Sequence, residues 1–116
     1  MQSNLTIYHK LYQMTKEIYK ITHNMKREYK YGIGCEILAL CWECLDLFLE
    51  ANHAPNAEKS AKIERLSLAF DKLKLRIRML AEIKGISVGQ FSMLCEQYVL
   101  PTGQMIGGWK KWSEVG

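Results

Sequence analysis

The chain has 116 residues, of which 48% are hydrophobic and 24% charged, and its formal net charge is +4 at pH 7. This composition is typical of a soluble globular protein, and the length predicts one domain over residues 1–116. No segment approaches the roughly 18 apolar residues of a membrane span and no secretion signal opens the chain, so we expect a cytoplasmic protein without a membrane partner.

Positive charge is unevenly distributed along the chain. Residues 1–30 hold six Lys or Arg against two acids, and residues 58–84 hold eight against four. Residues 31–57 hold four acids and no Lys or Arg. This asymmetry favours a basic face on a folded body, although a solvated surface of Lys and Glu has the same composition.

The first predicted helix runs from about Leu5 to Met25 and carries a stripe rich in tyrosine. Tyrosine rings can pack while their hydroxyls reach the rim, so the stripe is predicted to be core rather than a base-stacking surface. Its members are Leu5, Tyr8, Leu11, Tyr12, Thr15, Ile18, Tyr19, Thr22 and Met25. The following connection, from Lys26 to Gly34, mixes cations with aromatic rings, which fits either a nucleic-acid contact or a solvated loop.

The second predicted helix runs from Ile33 or Cys35 to Ala51. Apolar residues cover more than half of its circumference, which is typical of a central helix. Its acidic edge is expected to pair with the basic flank of a neighbouring helix or subunit, and consists of Glu36, Glu43, Asp46 and Glu50. No carboxylate pair has a His or a nucleophile nearby, so a catalytic site is not predicted.

The cysteines do not form a metal-binding pattern. Cys41 and Cys44 are three residues apart, but no second Cys or His pair stands at a usable spacing. We therefore predict no metal and no cofactor, and we expect reduced, buried thiols at Cys35, Cys41, Cys44 and Cys95.

The third predicted helix, Glu58 to Lys84, has two apolar lines and two basic flanks. The first line predicts a core stripe of Ile63, Leu66, Phe70, Leu73, Ile77 and Leu80. The second line lies about 170–180° around the helix and consists of Leu68, Leu75 and Met79. So short a chain has too little material to cover both lines, which favours a subunit interface at the second. The flanks are Lys62, Arg65, Lys72 and Arg76 on one side, and Lys74 and Arg78 on the other.

The fourth predicted helix starts at Ser87, with Gln90 in the capping-box position, after a stop at Gly85. Its stripe consists of Phe91, Leu94, Cys95, Tyr98, Thr102, Met105, Ile106 and Trp109. Pro101 lies inside this stripe, which predicts a bend over residues 97–101.

Near the end of the chain, Gly107 and Gly108 are expected to allow the close approach of a neighbouring backbone. Trp109 and Trp112 can be interpreted as a docking patch, although the place of Trp109 on the stripe favours core.

Together these segments predict an all-α fold, an antiparallel up-and-down four-helix bundle. Glycine-rich phosphate loops and nucleophile motifs do not occur in the sequence, so we predict that the protein is not an enzyme.

The ending of the chain, from Gly103 through Gly107-Gly108-Trp109 to Lys111, resembles that of a small four-helix-bundle family. This family includes the accessory variability determinant proteins of diversity-generating retroelements. Further similar motifs are Ile33-Gly34 with Ile37, Glu50-Ala51-Asn52, Leu73 to Arg78, and Leu94 to Gln97. The resemblance covers residues 8–112, but Gln104 stands where the family usually has Arg, and the connection before the second helix lacks the family's proline.

The resemblance implies a non-catalytic accessory protein that assembles as a barrel-shaped homopentamer. It implies binding of the retroelement reverse transcriptase and of template RNA, with DNA as a second nucleic acid, in support of adenine-directed mutagenic cDNA synthesis. The expected contact residues are Lys26, Arg27, Lys30, Lys62, Arg65, Lys72, Lys74, Arg76, Arg78, Lys110 and Lys111. The alternatives are a structural bundle of the type encoded in ribosomal RNA intervening sequences, and a helical regulator that binds a small ligand.

Overall fold

A computed structural model describes residues 2–115, with side chains described from Asn4 onward. The helices are α1 (Gln2–His23), α2 (Arg27–Lys30), α3 (Ile33–His53), α4 (Asn56–Glu82), α5 (Val88–Leu94) and α6 (Leu100–Val115). A π-helical turn, Cys95–Val99, joins α5 to α6. These residues contain no strand, which confirms the all-α prediction.

The long helices pack mainly on their neighbours in the chain. α1 lies against α3, α3 against α4, α4 against α6, and α6 closes the bundle against α1. The bundle measures 46 × 23 × 19 Å, and the up-and-down four-helix prediction is confirmed. One end carries residues 24–32 and 83–87, and the opposite end carries the connection between α3 and α4 and the last turn of α6.

α4 buries the predicted core stripe completely. Each of its six apolar residues is at most 4% exposed, from Ile63 at 0% to Leu80 at 4%. Burial of such side chains stabilises the fold by about 1.5–3 kcal/mol each. On the facing helices, Phe48 and Trp109 pack with ring centroids 5.5 Å apart, so Trp109 is core as predicted, whereas Trp112 is 44% exposed.

The core face of α1 differs from the predicted tyrosine stripe. Its buried apolar residues are Ile7, Leu11, Met14 and Ile18, and Thr15 and Thr22 of the predicted stripe are buried with them. In contrast, Tyr12 and Tyr19 are 42% and 47% exposed and Leu5 is 61% exposed. Ile and Met have no polar group to satisfy, while a buried tyrosine hydroxyl needs a partner. The prediction that these tyrosines and Leu5 are core was therefore wrong.

α4 ends in a Schellman motif whose left-handed residue is Lys84. The Gly85 N–H donates to the Leu80 carbonyl at 2.8 Å and the Lys84 N–H to the Ala81 carbonyl at 3.0 Å. Lys84 has φ 65°, whereas Gly85 does not have positive φ. The backbone of Gly85 instead lies close to the Leu80 side chain, since a Cβ at position 85 would lie 2.3 Å from Leu80 Cδ1. The residue that ends the helix by its left-handed conformation is therefore Lys84, one residue before the predicted stop at Gly85.

The start of α5 is the predicted capping box. The Gln90 N–H donates to Ser87 Oγ at 3.0 Å, and the Ser87 N–H donates to Gln90 Oε1 at 2.9 Å. These two bonds satisfy backbone donors that a helix start leaves without partners.

Where a bend was predicted, over residues 97–101, the helix contains the π turn Cys95–Val99, just before Pro101. Proline has no N–H, so in an α-helix the carbonyl of Gln97, four residues earlier, would lack its donor. Lys10 Nζ on α1 donates to that carbonyl at 3.0 Å. A side chain from another helix therefore replaces a backbone donor and ties α1 to the π turn.

Gly107 and Gly108 do not serve a close approach within the chain. Both are exposed, and a Cβ on either would meet nothing within 4 Å. The prediction of a tight backbone contact there was wrong for the single chain.

Candidate nucleic-acid and subunit interfaces

The eleven basic residues singled out in the sequence do not form one surface. Lys26, Arg27 and Lys30 lie at the end of the bundle that carries residues 24–32, which we call the basic end. The α4 cations lie along its two flanks, and Lys110 and Lys111 lie in the last turns of α6, toward the opposite end.

The flank of α4 that faces α3 is partly neutralised by the acidic edge of α3. Glu50 lies 3.7 Å from Lys62 Nζ and 3.8 Å from Arg65 Nη1. Glu36 lies 3.4 Å from Arg76 Nε. The predicted pairing of the acidic edge with a neighbouring helix is confirmed for these two acids. Exposed pairs stabilise by only about 0–1 kcal/mol, but each lowers the local charge available to a phosphate.

The other α4 flank and α6 also form ion pairs. Lys74 Nζ lies 3.1 Å from Asp71, and Arg78 Nε donates to Glu82 at 3.0 Å. Lys110 pairs with Glu64, and the hydrogen bond to this carboxylate raises the pKa of Lys110. Net positive charge is therefore reduced along these surfaces as well.

The basic end differs because, within residues 2–115, its cations have no ion-pair partner. Lys26 and Arg27 are exposed, and Lys30 is half-buried. The Arg27 guanidinium and Lys30 Nζ each lie 5.7 Å from the ring centroid of Tyr31, which is 65% exposed. This arrangement offers phosphate-binding cations beside an aromatic ring, as proteins that bind single-stranded nucleic acid do.

Lys84 joins the basic end from the α4–α5 connection and was missed in the sequence. A cleft of about 570 Å³ separates this connection from residues 24–29, and Lys26 and Lys84 both line it. The Tyr29 hydroxyl donates to the Ile83 carbonyl at 3.3 Å and holds the two segments together. Only the topology of the bundle, in which the chain returns to the same end after α4, brings these distant lysines together, so local sequence carried no signal.

The second apolar line of α4 is open in the single chain. Leu68, Leu75 and Met79 are 56%, 60% and 48% exposed, and Ile83 continues the line at 42%. Contiguous exposed apolar surface of this kind typically marks a protein contact.

A further exposed apolar surface lies along α1 and α3, and we call it the aromatic face. Trp42 Nε1 donates to the Tyr19 hydroxyl at 2.9 Å, and the rings of Tyr8 and Tyr12 stack with centroids 6.0 Å apart. Its exposed members are Leu5, Tyr12, Tyr19, Trp42 and Leu49. This face could have been found in the sequence from a seven-residue spacing, which places residues on one side of a helix. The spacing separates Leu5, Tyr12 and Tyr19 on α1, and Trp42 and Leu49 on α3.

The cysteines lie in two environments. Cys41 and Cys44 are buried, and burial raises the pKa of Cys41 to about 12 and raises that of Cys44 as well. Cys35 is exposed and Cys95 half-buried, so the prediction of buried thiols was wrong for Cys35. Among residues 2–115, no three His, Cys, Asp or Glu side chains gather as a metal site would require.

Comparison with protein families identifies the family of this bundle. A family model described as bAvd-like matches residues 5–113, from the first turns of α1 to the last turns of α6. The chain belongs to the bAvd-like family. bAvd-like proteins are accessory rather than catalytic, and the match includes the Gly107-Gly108-Trp109 ending on which the sequence resemblance depended. No curated protein and no solved structure matches the chain.

None of the helices of the described chain combines the length and the apolar content needed to cross a membrane.

Proposed function

We propose that the protein is the accessory subunit of a diversity-generating retroelement. In this role it binds the reverse transcriptase and the template RNA in the cytoplasm, with DNA as a second nucleic acid, and supports adenine-directed mutagenic cDNA synthesis. The observation that carries the proposal is the bAvd-like family match over residues 5–113.

The basic end is the nucleic-acid contact in this proposal. Lys26, Arg27 and Lys30 lack ion-pair partners among the described residues, unlike most of the α4 cations. Phosphate binding by free cations releases counterions, whereas an ion-paired cation must first give up its carboxylate. The α4 flanks and the α6 pair Lys110 and Lys111 are then left for the polymerase.

Assembly as a homopentamer would strengthen this contact. When copies are related by rotation about an axis along the bundles, all basic ends lie on the same side of the ring. The exposed α4 line of Leu68, Leu75 and Met79 supplies apolar surface for such assembly. Five basic ends on one side form a platform that a single chain lacks.

The experiment measures RNA binding against salt for the variant Lys26→Gln/Arg27→Gln/Lys30→Gln. Log affinity falls with log salt, and each phosphate contact contributes about 0.7 to the steepness of this fall on a single strand. Removal of up to three contacts should therefore make the fall less steep, by about 2. The matched control is Lys74→Gln/Arg78→Gln, whose cations are ion-paired and should contribute less.

Two further readouts separate the parts of the proposal. Normal RNA binding by the basic-end variant, with a loss in the Lys74/Arg78 variant, would move the contact to α4.

Co-purification of the retroelement reverse transcriptase with the wild-type protein tests the polymerase partner independently. Light scattering of the wild type and of Leu75→Glu tests assembly, and a wild-type monomer would refute the pentamer.

A further inference from the structure

Two exposed lines on adjacent helices share one pattern with opposite charge. On α3, Asp46 has Trp42 four residues before it and Leu49 three residues after it. On α4, Lys72 has Leu68 four residues before it and Leu75 three residues after it. Residues at these spacings lie on one side of a helix, so each line presents a charge between two apolar side chains.

Both charges lack a partner within the described chain. The ion pairs of residues 2–115 include neither Asp46 nor Lys72, although Glu50 and Arg76, each four residues further along its helix, are paired. Asp46 and Lys72 are exposed, as are the four apolar residues that flank them, at 45–60%. A second surface that carries the opposite charge between apolar groups would complete either line.

We propose that the α3 line of one copy packs on the α4 line of the next copy, with Asp46 paired to Lys72. The proposal rests on the self-assembly included in the proposed function and specifies which surfaces meet. Lys72 then belongs to the subunit interface and not to the nucleic-acid contact. The two lines differ, so the contact is head-to-tail and repeats around a ring.

The direction of the helices agrees with this pairing. α3 and α4 run antiparallel within one chain, and a rotation about an axis along the bundle keeps every copy in the same orientation. α3 of one copy therefore meets α4 of the next in antiparallel fashion. With Asp46 opposite Lys72, Trp42 lies opposite Leu75 and Leu49 lies opposite Leu68, so apolar groups flank the ion pair on both sides.

The aromatic face provides one wall of the contact. Tyr19 lies beside Trp42, because the indole N–H donates to the tyrosine hydroxyl at 2.9 Å. This hydrogen bond fixes the indole at the junction of α1 and α3. The α4 line, which is a single exposed ridge, would pack into the groove that these two helices form.

Charge reversal tests the pairing directly. The protein is prepared as Asp46→Lys, as Lys72→Asp and as the double exchange, and its mass is followed by light scattering against concentration. Each single variant places like charges together and should raise the dissociation midpoint by about tenfold or more, whereas the double exchange should restore it. Glu96→Lys, which reverses an exposed charge on the π turn, is the control and should not change the midpoint.

A mixing experiment guards against a double variant that fails to fold. In an equimolar mixture of the two single variants, the lysine introduced at position 46 of one chain can face the aspartate introduced at position 72 of the other. The remaining pair, Asp46 and Lys72, is native. In an odd-numbered ring, alternation of the two variants makes every junction but one favourable. Mixing should therefore restore most of the assembled mass. Restoration would show that position 46 of one chain meets position 72 of another, because neither single variant can form the opposite-charge pair by itself.

The outcomes distinguish this proposal from the proposed function. An assembled wild type whose mass is insensitive to both reversals, or whose mass neither exchange nor mixing restores, overturns the Asp46–Lys72 pairing and leaves assembly through another surface. A wild type that remains monomeric overturns the pairing together with the proposed pentamer.

Discussion

Two substitutions at the end of α4, Lys84→Gly and Gly85→Ala, test whether Lys84 carries the left-handed conformation. Lys84 has φ 65°, and this conformation costs a residue with a Cβ about 1–2 kcal/mol. Glycine removes that cost but adds freedom to the unfolded chain worth about 0.4–1 kcal/mol. Lys84→Gly should therefore stabilise the fold by about 0.5–1 kcal/mol.

The neighbouring substitution should have the opposite sign. In Gly85→Ala the new methyl group would lie 2.3 Å from Leu80 Cδ1 and 3.3 Å from the Leu80 carbonyl oxygen. Leu80 is 4% exposed, so it has little room to move, and such overpacking costs about 1–3 kcal/mol.

Urea unfolding followed by circular dichroism measures both changes, at one protein concentration because assembly contributes to apparent stability. A difference of about 1 kcal/mol corresponds to about 4 °C in Tm for a chain of this length. If Lys84→Gly is destabilising, residue 84 does not carry the left-handed conformation and our description of this turn is wrong. Lys84→Gly should also weaken RNA binding if the basic end is the contact, so stability and binding would change in opposite directions.

Three other measurements test the core and the thiols. Leu73→Ala, at a position with 0% exposure, should cost about 2–5 kcal/mol in the free energy of unfolding, and a cost below 1 kcal/mol would contradict its central place. The buried Thr102 hydroxyl has no hydrogen-bond partner among the described residues. Thr102→Val should therefore leave the free energy of unfolding unchanged or raise it, by at most about 3 kcal/mol, in the same assay. A thiol reagent at pH 8 should modify Cys35 rapidly and Cys41 only after unfolding, since burial raises the pKa of Cys41 to about 12; equal rates in the native protein would argue against the α3 packing.

The core of α4 could be predicted from sequence because its periodicity is continuous along the helix. Steps of three and four residues identify the buried stripe of Ile63 to Leu80 without knowledge of the neighbours. The core of α1 could not be predicted as well, since two stripes of similar hydrophobicity compete there. Whether Met14 or Tyr12 turns inward depends on the fit against α3, which periodicity does not contain.

The candidate contact residues show a similar division. Sequence identified the cations of α4 and α2 but not which of them are free, because the partners Glu36 and Glu50 lie on another helix. Lys84 was overlooked because only the bundle topology brings it beside Lys26. The exposure of Leu68, Leu75 and Met79 followed from simple geometry, since a helix cannot turn opposite sides toward one core.

The π turn also has a consequence for how this chain compares with its relatives over evolutionary time. A π-helical turn bonds each N–H to the carbonyl five residues earlier, so it holds one residue more than an α-helical turn. Deletion of a single residue within Cys95–Val99 would convert the turn to regular α-helix, while Phe91 before it and Trp109 after it could keep their faces. Relatives that differ in length by one residue at this point can therefore retain the same core on either side of the gap.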